Sequence, residues 1–337
     1  MQTTTVKNNS QDSSISHSQA LLQKISKTWH RRARVKTKEI DMKSTVDDSL
    51  PDFRVDLLPF RDHPDFLQAS PQMQNKILSC GWLAYNEKTI DIEAKVINPA
   101  CNHIIYGEVP GADDEISQMI ASETLVDESY HILLVNKACH LTRRQRNLQF
   151  LKLPDFNLGI EMQREQLQLS EHWQKVLVQL ATATVSELFI SDYLNLLAHD
   201  QTIQPFNRLV VDTHRQDEMA HGTIFNHLAK HIYSQLNREQ KEFFMQILPK
   251  PVRWFANTEL TVWKAMLEQI GFAHTERVID DCIAANEVNL LRIDYTGIMS
   301  LAEELGILDS NRGVDSFGEA GLFDSNSQSE NRILVTA

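Results

Sequence analysis

From Ser70 onward the chain alternates apolar and polar positions with a helical period, and the residues between the runs are those that start and stop helices. Ser70-Pro71 offers a capping hydroxyl followed by a proline suited to a first turn. It predicts a long helix to about Ala100 with Trp82, Asn86, Thr89, Glu93 and Val96 on one face. A second helix is predicted from Asp113-Asp114 to about His140, a third from near Ser170 to about Ala198, and a fourth from Pro205 to about Tyr233. Further helices follow from Pro251 to about Gln269, from Thr275 to about Asn286, and from Asp294 to Leu305, where Gly306 supplies a stop. Strand signals are weak and short.

Outside this region the pattern dissolves. Residues 1–15 and 310–337 are polar, rich in Ser, Asn and Asp, and aperiodic, so both are expected to be mobile tails around one domain at 16–309. The stretch from Leu50 to Pro64 carries Pro and Asp punctuation and is expected as an extended lead-in. At 337 residues the chain is long enough to enclose a dry site.

Composition narrows the function classes. A formal net charge of -12 argues against a broad nucleic-acid surface, and the short basic run Arg31-Arg32-Ala33-Arg34-Val35-Lys36 is expected on a solvated helix face. The four cysteines, Cys80, Cys101, Cys139 and Cys282, form no C-x-x-C pair and are expected as buried or inert thiols. No apolar run approaches the roughly 18 residues of a membrane span, and the N-terminus lacks a signal-peptide core. A cytoplasmic location without membrane attachment is the expectation.

The chemistry lies in an internal echo. Asp127-Glu128-Ser129-Tyr130-His131 and Asp217-Glu218-Met219-Ala220-His221 repeat the pattern D-E-x-x-H on two predicted helices. Residues three apart share a helix face, so Glu128 with His131 and Glu218 with His221 each present an oxygen and a nitrogen ligand to the interior. Such binuclear carboxylate sites take one further glutamate from each of two other helices, and Glu93 and Glu187 meet that requirement. Four buried carboxylates without metal would repel one another, whereas two ferrous ions balance their charge. Oxygen-rich ligation with some imidazole suits iron or manganese. This predicts an all-α, ferritin-like four-helix bundle with additional C-terminal helices. Asp127 and Asp217 are candidates to accept the spare N–H of a ligating histidine. His214, four residues before Glu218, is either a third imidazole ligand or a hydrogen-bonded neighbour. His103, His140, His199, His227 and His231 lack partners at ligand spacing, and Tyr130 is expected as a core aromatic.

From about Arg31 to Leu308 the chain resembles the p-aminobenzoate N-oxygenase family of non-haem di-iron enzymes. The resemblance is carried by Tyr85-Asn86-Glu87, Gly107-Glu108-Val109-Pro110-Gly111-Ala112-Asp113-Asp114, the two D-E-x-x-H segments, Asp200-Gln201-Thr202-Ile203-Gln204-Pro205 and Thr213-His214-Arg215-Gln216. It implies a ligand set of Glu93, Glu128, His131, Glu187, His214, Glu218 and His221, which makes His214 a ligand. It also implies two iron ions per chain, dioxygen as co-substrate, an external electron donor and a homodimer. The implied activity is oxidation of an amine to hydroxylamine, nitroso or nitro products in natural-product biosynthesis. The amine is an aryl or amino-acid-derived small molecule, free or tethered to a carrier protein.

The family's archetype pairs its substrate carboxylate with a C-terminal arginine. Gapless comparison anchored on Glu304-Leu305-Gly306 places Ile293 there and Arg292 one residue earlier, about 100 degrees around a helix. Arg292 is the candidate anchor, and p-aminobenzoate is not required as the substrate. The metal motifs alone also accommodate a di-iron hydroxylase or desaturase acting at carbon, an iron-binding or ferroxidase protein, or a radical-generating subunit.

Overall fold

The computed structural model describes residues 16–34, 47, 49–285 and 294–323, and among these residues it is all-α with no sheet. In chain order the helices are α1 (His17–Ser26), α2 (Trp29–Arg32), α3 (Pro64–Leu67), α4 (Pro71–Ile92), α5 (Asn98–Ile105), α6 (Glu115–Gln145), α7 (Asn157–Leu167) and α8 (His172–Ala198). They continue as α9 (Pro205–Gln235), α10 (Arg238–Ile247), α11 (Lys250–Phe255), α12 (Leu260–Gln269), α13 (Thr275–Ala284), α14 (Thr296–Glu304) and α15 (Asn311–Glu319). The bundle consists of α4, α6, α8 and α9. The most extensive packing is between α8 and α9, α6 bridges α4 to α9, and α5 closes the ring against α6 and α8.

The helix starts follow the expected chemistry. Ser70 caps α4 by accepting from the Met73 N–H, Pro71 occupies its first turn, and Asp114 caps α6 by accepting from the Ser117 N–H. The long apolar helix α8 is buried nearly all round, which places it at the centre of the fold.

The predicted helix from Pro71 to Ala100 is not a continuous α-helix. Glu93–Ile97 forms a π turn between α4 and α5. Pro99 supplies the cause: it has no N–H to return to the carbonyl of Lys95 four residues back, and its ring would crowd that carbonyl in an α-helix. Gln179 on α8 meets the disturbed backbone, donating from Nε2 to the carbonyls of Lys95 (3.1 Å) and Val96 (2.8 Å).

Two other expectations are corrected. The helix predicted from Pro251 to Gln269 breaks into α11 and α12, because Glu259 sits in the left-handed region at φ 57°, with its N–H donated to Asn257 Oδ1. The segment from 310 is not a tail over its described length. It forms α15, with Phe317 fully buried and Gly313 beneath the Ile307 carbonyl, where a Cβ would collide. Arg292 lies outside the described residues, as does the expected N-terminal tail at 1–15.

Candidate metal centre

The four bundle helices bring Glu93, Glu128, His131, Glu187, His214, Glu218 and His221 into one interior cluster, and none of them is more than 2 % exposed. Glu93 comes from the π turn at the end of α4, Glu128 and His131 from α6, Glu187 from α8, and the other three from α9. Two glutamates lie in the middle. His131 Nδ1 is 3.4 Å from Glu128 and 3.0 Å from Glu218, while His221 Nδ1 is 2.7 Å from Glu128 and 3.2 Å from Glu218. At one pole His214 Nε2 stands 2.8 Å from both Glu93 and Glu218. At the other, Glu187 feels Glu218, Glu128 and His221 as its charged neighbours. The cluster therefore contains two overlapping donor sets, Glu93–His131–His214–Glu218 and Glu128–His131–Glu218–His221.

The donor chemistry fits a pair of cations. Neither oxygen of Glu187 has a hydrogen-bond partner, and both oxygens of Glu93 also lack one although Glu93 Oε1 is close to the His214 ring. Close approach without hydrogen-bond alignment is what groups converging on a shared cation display. Deeply buried carboxylates left this way are otherwise costly. Burial pushes Glu93 up to about 7 and holds Glu187 well above the usual carboxylate range. Glu218 behaves oppositely: burial would raise it, but His221 and then His131 hold it well below. The imidazoles respond in kind, since burial alone would lower His131 and His221 but Glu128 and Glu218 keep both well above their ordinary values.

The two aspartates cross over. Asp217 Oδ2 lies 3.5 Å from His131 Nε2, and Asp127 Oδ2 lies 3.4 Å from His221 Nε2. Each aspartate thus serves the histidine of the other D-E-x-x-H helix. With Nε2–H directed at the aspartate, Nδ1 carries the lone pair and faces the glutamates.

Sequence reasoning missed what lies behind the aspartates. Trp29 on α2 donates Nε1–H to both oxygens of Asp127 at 3.0 and 2.9 Å, and the Arg34 N–H donates to Asp217 Oδ1 at 2.6 Å. Arg32, expected on a solvated face, points inward with Nη1 3.9 Å from Asp127. The available signal was a tryptophan inside an otherwise polar, basic stretch. Tyr130 corrects another expectation: it is 42 % exposed and so is not a core aromatic. Of the remaining histidines, His231 binds the Asp114 cap at 2.9 Å, His227 meets Ser18, and His140 and His199 are exposed.

One opening among the described residues borders the cluster, and a second lies apart from it. A solvent-facing cleft between α8 and α9 reaches Glu187 and Glu218 past Met219 and Gly222. A more enclosed, largely apolar cavity lies further along α4 and α8, walled by Phe53, Tyr85, Tyr193 and Trp263, and none of the seven clustered residues lines it. Among the described residues its cation is Lys88, whose Nζ is 2.8 Å from the Phe255 carbonyl and 3.0 Å from Glu259.

A family model described as p-aminobenzoate N-oxygenase AurF matches residues 15–306. A protein described as 4-aminobenzoate N-oxygenase, from Streptomyces thioluteus, is 30 % identical over 294 residues, covering 86 % of this chain and 88 % of that one.

Proposed function

Since this chain belongs to the p-aminobenzoate N-oxygenase AurF family and is an amine N-oxygenase, we propose that its interior cluster holds two iron ions and oxidises the nitrogen of a small-molecule amine with dioxygen. The residues that would hold them in this reading are Glu93, Glu128, His131, Glu187, His214, Glu218 and His221, with Glu128 and Glu218 each close to both His131 and His221. One observation carries it: buried carboxylates from four helices converge with imidazoles, and the oxygens of Glu93 and Glu187 lack hydrogen-bond partners. Iron bound there would supply the reduction of dioxygen.

The residues of the chain do the rest. Four ionised glutamates balance the charge of two ferrous ions, and neutral imidazoles add nitrogen donors without changing that balance. Asp127 and Asp217 hold the Nε2 protons of His221 and His131, so that both rings keep Nδ1 free. The apolar core around the cluster would limit water to the cleft that reaches Glu187 and Glu218. For the first oxidation, amine, dioxygen, two electrons and two protons give hydroxylamine and water, with the electrons arriving from an external donor.

The aromatic-walled cavity suits the body of an aryl amine, and Lys88 is its candidate partner for an anionic group, provided Glu259 releases it. Arg292 is retained as the alternative anchor. A free or carrier-tethered amine, a role in natural-product biosynthesis, a homodimeric assembly and a cytoplasmic location complete the reading. No helix among the described residues is long and apolar enough to cross a membrane.

The test is incubation of anaerobically iron-loaded, reduced protein with a panel of aryl and amino-acid-derived amines, followed by isotopically labelled dioxygen and mass spectrometry. Label in a new N–O bond supports the proposal. Products oxidised at carbon, or none across the panel with two irons bound, overturn it.

A further inference from the structure

Asp127 and Asp217 lie on different helices, yet one short stretch of chain holds both. Trp29 Nε1–H is shared between the two oxygens of Asp127, and five residues later the Arg34 N–H meets Asp217. Both aspartates are fully buried. The stretch is anchored upstream by α1, which packs on α6 and α9, and by Ser26 Oγ donating to Glu123 at 2.6 Å. The N-terminal segment thus behaves as a strap across the histidine side of the cluster.

We propose that Trp29 is a positioning residue for the metal centre, acting through Asp127 on the imidazole of His221. This rests on the reading of His221 as a ligand. A buried carboxylate that loses its donors turns toward whatever remains, here Arg32, whose Nη1 is 3.9 Å away. His221 would then lose the acceptor that holds its proton on Nε2, and the other tautomer places that proton on Nδ1, the atom facing Glu128 and Glu218. The effect is one-sided. His131 answers to Asp217, which accepts from the Arg34 N–H, and His214 faces Glu93 and Glu218.

The experiment titrates the full-length, metal-free chain with Co2+ against a competing chelator, recording both affinity and visible spectrum. Trp29→Phe keeps an aromatic ring at the position and removes the indole donor. Two Co2+ are expected in the parent protein. Trp29→Phe is expected to weaken one binding step by about 10- to 100-fold and to change its spectrum, leaving the other step as it was. Asp127→Asn should weaken the same step, and Trp29→Phe added to it should produce no further loss. Trp29→Met, apolar and adaptable, provides the same deletion should the phenylalanine variant fail to fold. Unchanged affinity and spectrum in the Trp29 variant, or losses that add in the double variant, would overturn the proposal by reducing Trp29 to packing. A parent protein that takes up no Co2+ at this cluster would instead remove the metal reading, and the proposal with it.

Discussion

Gly222 lies directly under the backbone carbonyl of Glu187: a Cβ at position 222 would stand 2.9 Å from that oxygen. The residue after His221 is therefore what lets α9 approach the α8 backbone where Glu187 departs. Alanine is the better helix former by about 1 kcal/mol, which favours the substitution in an isolated helix. The carbonyl belongs to a helix buried nearly all round and cannot swing aside, so overpacking should win, with a net loss of about 1–3 kcal/mol. Chemical denaturation of metal-free Gly222→Ala measures it, and equal or greater stability than the parent would refute the close-approach argument.

The central glutamates should matter most for metal retention. Glu128 and Glu218 each approach both His131 and His221, so removing either takes one negative charge and a shared donor from both halves of the site. Glu128→Ala and Glu218→Ala are expected to fall from two irons per chain toward one or none after anaerobic loading and desalting. Parent-level iron with parent-level turnover in either variant would remove that residue from the ligand set.

His214 should behave differently. Its ring is neutral as a donor, and the four glutamates, His131 and His221 remain when it is lost, so charge balance survives. His214→Ala is expected to keep most of its iron and to lose most of its N-oxygenated product per dioxygen consumed. Iron assay beside product and dioxygen stoichiometry tests this, and unchanged coupling would make His214 a neighbour of the centre only.

The cysteines yield a pH expectation. Burial pushes the Cys80 thiol up to about 12, and burial, followed by the nearby Glu128 and Glu187, places Cys101 well above its ordinary value. Raised thiol values mean that the reactive thiolate is scarce below them, about one part in ten thousand for Cys80 at pH 8. Alkylation of the native protein at pH 8 should therefore be slow at Cys80, Cys101 and Cys139, all buried, and complete only after unfolding. Rapid native labelling of Cys101, identified by peptide mapping, would contradict the packing around the cluster.

Much of this arrangement can be read from the chain because helical periodicity and ligand spacing make the same demand. Glu128 and His131 must share a face for any helix through them, and Glu93 lies on the face already defined by Trp82, Asn86 and Thr89. What could not be read depends on residues far apart in sequence. Trp29 gains its meaning only when α2 packs beside Asp127, nearly a hundred positions later. The reciprocal pairing of Asp127 with His221 requires the crossing of α6 and α9. The break at Glu259 depends on a side-chain bond from Asn257 that competes with the helix, and α15 escaped because its polar composition conceals a single buried face around Phe317.

The π turn at Glu93–Ile97 has a consequence for insertions and deletions. The turn takes up one residue more than an α-helical turn would, so loss of one residue between 94 and 97 would close it to a regular α-helix and leave the segments on either side nearly in phase. Ala100, Cys101 and Ile104 would keep their enclosed face, but Pro99 would be pressed against a carbonyl it cannot satisfy. A change that improves local helical regularity would thus close the widened backbone whose Lys95 and Val96 carbonyls accept from Gln179, so the segment beside Glu93 is constrained in length as well as in composition.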